Sequence, residues 1–97
     1  MELKKPAIAG TTESSDIQIT LMPNPEGGLR FSLKSIVKAQ FGGAILATVQ
    51  ATLEEFGVTD AIVQIDDKGA FDWVIKARMQ TAICRAAEHH FDWKGVE

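Results

Sequence analysis

Only one cysteine, Cys84, stands among the 97 residues, so no intrachain disulfide can form and no multi-cysteine metal site can be built. That scarcity makes a reducing cytoplasm the expected location. Positive charge is also short: ten Lys and Arg against thirteen Asp and Glu give a formal net charge of −3. A nucleic-acid surface needs clustered cations to neutralise phosphates, so no such partner is expected. No apolar run is long enough to cross a bilayer, and the apolar stretch inside MELKKPAIAG is too short for a signal peptide. Internal repeats and low-complexity tracts are missing as well. These absences leave the expectation of a soluble, mildly acidic domain that is not exported.

What is present is globular composition, with 45% hydrophobic and 24% charged residues, in a length that closes one core and not two. DIQITLM sets Ile17, Ile19 and Leu21 on one side and Gln18 and Thr20 on the other, the pattern of a half-buried strand. PNPEGG, residues 23–28, turns the chain. LRFSLK returns with Leu29, Phe31 and Leu33 alternating against Arg30, Ser32 and Lys34, and the two runs read as a hairpin. Ser35 stands at an N-cap position before Val37, Phe41, Ile45, Val49, Leu53 and Phe56, which recur at helical spacing until Gly57 stops the helix. Gly42 and Gly43 inside it each cost about 1 kcal/mol relative to Ala, which calls for close packing on the sheet or a local distortion. VTDAIVQIDD supplies a third strand with Ala61, Val63 and Ile65 on one face, and DDKG turns the chain. A second helix from about Ala70 to near Glu88 directs Phe71, Val74, Ile75, Met79, Ala82, Ile83 and Ala86 inward. The order β-β-α-β-α predicts an α+β fold, a small two-layer sandwich with one sheet covered by two helices and room for a crossover between the second and third strands. On this reading residues 1–15 form an exposed segment, 16–88 the core, and 89–97 a tail whose Phe91 and Trp93 either fold back or face a partner.

The stretch AIAGTTESSD, residues 7–16, does not fit a helix cap. A capping box needs Glu or Gln three residues after Ser or Thr, ahead of a helix-period run. Here Gly10 stands three residues before Glu13, and the apolar residues that follow repeat every two. A generic surface loop is the plain alternative. The functional one is an acceptor for a covalent group, which needs an exposed primary hydroxyl on backbone that an enzyme can grip. Ser14 and Ser15 both meet that need, and Gly10 adds local freedom.

Three separated segments, AGTTESSD, SIVKAQFGGAI and DDKGAFDWVIKARMQ, together resemble the acyl carrier (gamma) subunit of citrate lyase, in the same order and at similar spacing over nearly the whole chain. The resemblance implies one acyl carrier domain over 1–97. It also implies that a serine, by position Ser14, bears a phosphoribosyl-dephospho-CoA arm through a phosphodiester; Ser15 is the competing acceptor. It implies further that the arm's thiol carries acetyl and citryl thioesters between alpha (acyl transferase) and beta (citryl lyase) subunits while citrate is split into acetate and oxaloacetate. A prosthetic-group transferase would install the arm, and the chain itself would be a non-catalytic subunit of a multisubunit complex. Two departures from the usual pattern, Thr12 in place of Leu and Asp72–Trp73 where Cys is common nearby, leave the acceptor hydroxyl untouched. The rival readings are the related carrier of a malonate decarboxylase and a cofactor-free interaction module. The four-helix phosphopantetheine carrier fits less well, because its serine lies in an Asp-Ser-Leu context at a helix start.

Other candidate groups have plainer roles. Cys84 lies in an apolar helix with no activating neighbour in sequence, which reads as packing. Asp66 and Asp67 lack the spacing of a calcium loop, and an aspartate before a helix is expected to cap it. His89 and His90 are adjacent, so on a helix they point apart and cannot chelate as an i, i+4 pair does. No metal site is expected. Lys76, Arg78 and Arg85 form either a solvated helix face or a set that pairs with partner acids or with phosphates of an arm.

Overall fold

The computed structural model describes residues 1–88. The elements run β1 (Ala7–Gly10), β2 (Ile17–Met22), β3 (Leu29–Ser35), α1 (Lys38–Glu55), β4 (Ala61–Asp67) and α2 (Asp72–Ala87). One sheet has the order β1-β2-β4-β3. The β1/β2 and β2/β4 pairs are antiparallel, whereas β3/β4 is parallel. The α+β, two-layer expectation holds, with element order β-β-β-α-β-α in place of β-β-α-β-α. No helix among the described residues is long and apolar enough to cross a membrane.

Period-two patterning does what it should in the two central strands. Ile17, Ile19 and Leu21 of β2 and Ala61, Val63 and Ile65 of β4 are buried, and they pack with Ile45, Val49 and Leu53 of α1 and Ile75, Met79 and Ile83 of α2. Each such large apolar side chain contributes about 1.5–3 kcal/mol on burial, so this shared layer fixes which face of the sheet the helices cover.

The expected hairpin between β2 and β3 does not form, because β4 lies between them. PNPEGG therefore spans two strand spacings, about 10 Å, and not one. Asn24 is buried in this bridge: its Nδ2 donates to the Gly27 and Gly28 carbonyls at 3.0 and 3.1 Å, and its Oδ1 accepts the Glu26 amide at 3.1 Å. The Gly28 amide donates to Asp60 at 2.7 Å, tying the bridge to the start of β4. The crossover allowed by sequence is present, as β3, α1 and the parallel strand β4.

Residues 1–15 are not one exposed segment. Ala7–Gly10 is the edge strand β1, and Leu3 and Ala9 are buried. The backbone N–H groups of Lys4 and Lys5 donate to the Ala86 carbonyl at 2.8 and 3.2 Å. Arg85 Nη1 donates to the Ile8 carbonyl at 2.7 Å. β1 is thus fastened to the end of α2 as well as to β2.

Helix boundaries move for identifiable reasons. Ser35 ends β3, opposite Asp67, and does not cap α1, whose N-cap Val37 makes no side-chain cap. At the other end the prediction is met: Gly57, at φ +68°, donates to the Glu54 carbonyl and Val58 to that of Leu53, a Schellman closure. Gly42 is buried with Leu33 beside it, while Gly43 faces open space, so close packing accounts for the first glycine only. Phe41 and Phe71, expected inward, are 54% and 64% exposed. The readings made for His89, His90, Phe91 and Trp93 lie outside the described residues.

Candidate functional site

The polar stretch is the connection of the β1–β2 hairpin, with Gly10 opposite Gln18 as its last strand pair. Thr11 to Ser15 are exposed. Gly10 sits at φ +85°, where a Cβ would collide with the Ile17 carbonyl and lie 3.2 Å from Arg78 Cδ. Its role is close approach of backbone, not looseness.

From there the loop is braced residue by residue. Thr11 Oγ1 donates to Asp16 Oδ2 at 2.7 Å and accepts the Glu13 amide at 3.2 Å. The Asp16 amide donates to the Glu13 carbonyl at 3.1 Å. Ser15, left-handed at φ +66°, donates its amide to the Lys68 carbonyl at 2.9 Å, and the Lys68 amide returns a 2.9 Å bond to the Asp16 carbonyl. The loop is thereby joined to the DDKG turn.

Asp16 is the junction. Arg78, on α2, presents its planar fork, Nε to Oδ1 at 3.1 Å and Nη2 to Oδ2 at 3.0 Å, while the Ile17 amide adds 2.7 Å to Oδ1. The hydrogen bond from Arg78 is the largest influence on this carboxyl and, with Thr11 and Ile17, outweighs partial burial to bring its pKa from 3.8 down to about 2. Arg78 is expected in solvent, on acids of a partner or on phosphates of an arm; among the described residues it pairs with Asp16 instead. Its companions also pair within the chain, Lys76 with Glu55 at 3.7 Å and Arg85 with the Ile8 carbonyl. The Arg78–Asp16 pairing carries no local sequence signal, because 62 residues separate the partners.

The two serines differ in this setting. Ser15 has its backbone committed to a left-handed turn and to Lys68. Ser14 lies one residue earlier without either constraint, and among the described residues neither serine's hydroxyl makes a hydrogen bond. A primary hydroxyl that is exposed, unshared and carried on braced backbone can take a bulky phosphodiester without disturbing the core.

Asp67, expected to cap α2, is fully buried and organises the turn before it. Ser35 Oγ donates to Oδ2 at 2.8 Å, the Gly69 amide to Oδ2 at 3.1 Å and the Ala70 amide to Oδ1 at 3.0 Å. No group of three or more His, Cys, Asp or Glu able to hold a metal occurs among the described residues. Cys84 is half-buried and its thiol pKa is pushed up by desolvation, which suits packing and not nucleophilic work. Beside the DDKG turn, Phe41 and Phe71 flank a cleft of about 350 Å³ between the first turns of the two helices, floored by Ile45 and Ile75.

The family model described as malonate decarboxylase delta subunit (MdcD), an acyl carrier family, matches residues 4–86. Citrate lyase acyl carrier protein of Clostridium perfringens is 46% identical over 94 residues, 96% of this chain and 93% of that protein. Citrate lyase acyl carrier protein 2 of Salmonella typhimurium is 50% identical over 97 residues, 99% and 100% of the two chains. The Vibrio cholerae citrate lyase acyl carrier protein is 48% identical over 96% of each. A solved chain from a Pseudomonas malonate decarboxylase hetero-tetramer in complex with malonate shares the fold at a TM-score of 0.53, with 18% identity over 89% of this chain and 92% of that one. With identity near one half over almost the full length of each relative, this chain belongs to the citrate lyase acyl carrier protein family, whose members are carriers and not catalysts.

Proposed function

We propose that this chain is the acyl carrier of a citrate-cleaving complex and that Ser14 anchors its prosthetic arm, a phosphoribosyl-dephospho-CoA group joined through a phosphodiester. The observation that supports the assignment is a contrast in backbone: both serines are exposed, but Ser15 is left-handed and its amide is tied to the Lys68 carbonyl, whereas Ser14 carries neither constraint. When bound, the arm would supply a terminal thiol that carries acyl groups as thioesters, the form in which a carboxylate's neighbour can bear developing negative charge. The chain's own part is to hold the anchor away from the core and to dock. Tethering raises the effective concentration of the acyl group at each site the arm can reach. The sites themselves belong to an acyl transferase (alpha) and a citryl lyase (beta) subunit in the cytoplasm, with a separate transferase installing the arm.

Intact-protein mass spectrometry of material from the native host, before and after mild alkali, tests the reading. The expected result is an adduct that maps to Ser14, with an alkali-labile acyl increment. Ser14→Ala should keep the fold and abolish both the adduct and citrate cleavage, whereas Ser15→Ala should keep them. An active complex with residue 14 unmodified would overturn the assignment. A second reading, the carrier of a malonate decarboxylase, is favoured by the description of the matching family and by the fold neighbour. Assaying the reconstituted complex with citrate and with malonate separates the two.

A further inference from the structure

We propose that Arg78 is a positioning residue for loading of the carrier: through Asp16 and Thr11 it holds the loop in the one shape in which the Ser14 hydroxyl is offered to the enzyme that attaches the arm. The inference rests on the reading of Ser14 as the anchor, and it concerns a residue far from that serine in sequence.

Three observations converge on it. The guanidinium spends its fork on the loop, both Asp16 oxygens being engaged at 3.1 and 3.0 Å, although the side chain is 41% exposed and could have stayed in water. The same carboxylate collects the Thr11 hydroxyl and the Ile17 amide, so one arginine governs both ends of the segment that contains Ser14. Gly10 leaves no room for a Cβ between the Ile17 carbonyl and the Arg78 stem, so the stem itself is packed under the hairpin. A solvated face would need none of this. The core is already closed by β2, β4 and the helices, so the bracing acts on the loop.

In the attachment step the Ser14 oxygen forms a bond to the phosphorus of a phosphoanhydride-activated donor. The anhydride bond breaks, the phosphate-class leaving group departs with its electron pair, and the hydroxyl proton passes to a base of the transferase. This chain contributes geometry alone. A mobile loop would have to be ordered when it is gripped, and a misplacement of about 1 Å at the reacting atom costs on the order of 10²-fold in rate.

The test loads full-length apo carrier with the prosthetic-group transferase and its phosphoanhydride-activated phosphoribosyl-dephospho-CoA donor. It follows kcat and KM by mass, with hydrogen exchange of residues 11–16 and thermal melts measured alongside. For Arg78→Gln, kcat/KM should fall about 10- to 100-fold, the misplaced hydroxyl lowering kcat and the cost of ordering the loop raising KM for the carrier. Exchange at the Ser15 amide should rise while the melt stays cooperative. Arg78→Lys, which keeps charge but loses the fork, should recover part of the loss. Asp16→Asn gives the same comparison should Arg78→Gln fail to fold, and Lys76→Gln, on the same helix and away from the loop, should load like wild type. Folded Arg78→Gln and Asp16→Asn carriers loaded with wild-type kcat and KM would overturn this inference and leave the anchor reading standing. Failure of the wild-type carrier to load at Ser14 would remove the anchor reading and this inference with it.

Discussion

Replacing Asp16 by Asn should produce a stability loss that exists at neutral pH and disappears in acid. The folded-state pKa of Asp16 is about 2 against an ordinary 3.8. A difference of that size corresponds to roughly 2.5 kcal/mol at about 1.4 kcal/mol per pH unit. Because the Arg78 side chain is 41% exposed, water screens the pair, and about 1–1.5 kcal/mol is the expected remainder. The sign follows from linkage: a carboxyl whose pKa is depressed on folding stabilises the fold fully above its unfolded value, and that contribution is lost as pH falls through the folded one. Urea unfolding of wild type and Asp16→Asn at pH 7 should therefore differ by about 1–1.5 kcal/mol. The gap should narrow below roughly pH 4 and close toward pH 2, with equal m-values throughout. A gap that stays constant from pH 7 to 2 would show that the loss comes from packing and not from the charge on Asp16.

Two further substitutions separate packing from chain entropy. Gly43→Ala places a methyl group in open space on α1 and should stabilise the protein by about 1 kcal/mol, seen as a rise of roughly 4–8 °C in Tm; an unchanged or lower Tm would mean that Gly43 meets something in the assembled protein. Ser35→Ala removes the 2.8 Å donor to the fully buried Asp67 and should cost about 1–3 kcal/mol in urea titrations, whereas the same change at exposed Ser14 should cost almost nothing.

The α+β class, both helices and three of the four strands were legible because their apolar residues repeat at a clean period, and burial on one face is what that period reports. β1 was not, since Ala7 and Ala9 turn so little apolar area inward that four residues of AIAG read as part of a loop. The β2–β3 pairing was misjudged for a different reason. Alternation says that a segment is a strand but not which strand lies beside it, and the neighbour of β2 is β4, about forty residues later. Phe41 and Phe71 show the limit of helical periodicity at helix ends, where the stripe runs past the sheet into solvent. At the site, the hydroxyl-rich stretch was visible as composition. Its bracing was not, because Lys68 and Arg78 reach the loop through the fold.

Those distant braces put an order on the life of the molecule. Ser14 is made before its braces: Lys68 and Arg78 come 54 and 64 positions later, a delay of about 3–13 s at 5–20 residues per second. A polypeptide broken off before Arg78 has the serine without its frame. On the proposed anchor, an enzyme that reads the frame would pass over such fragments and load only chains that have completed their second helix.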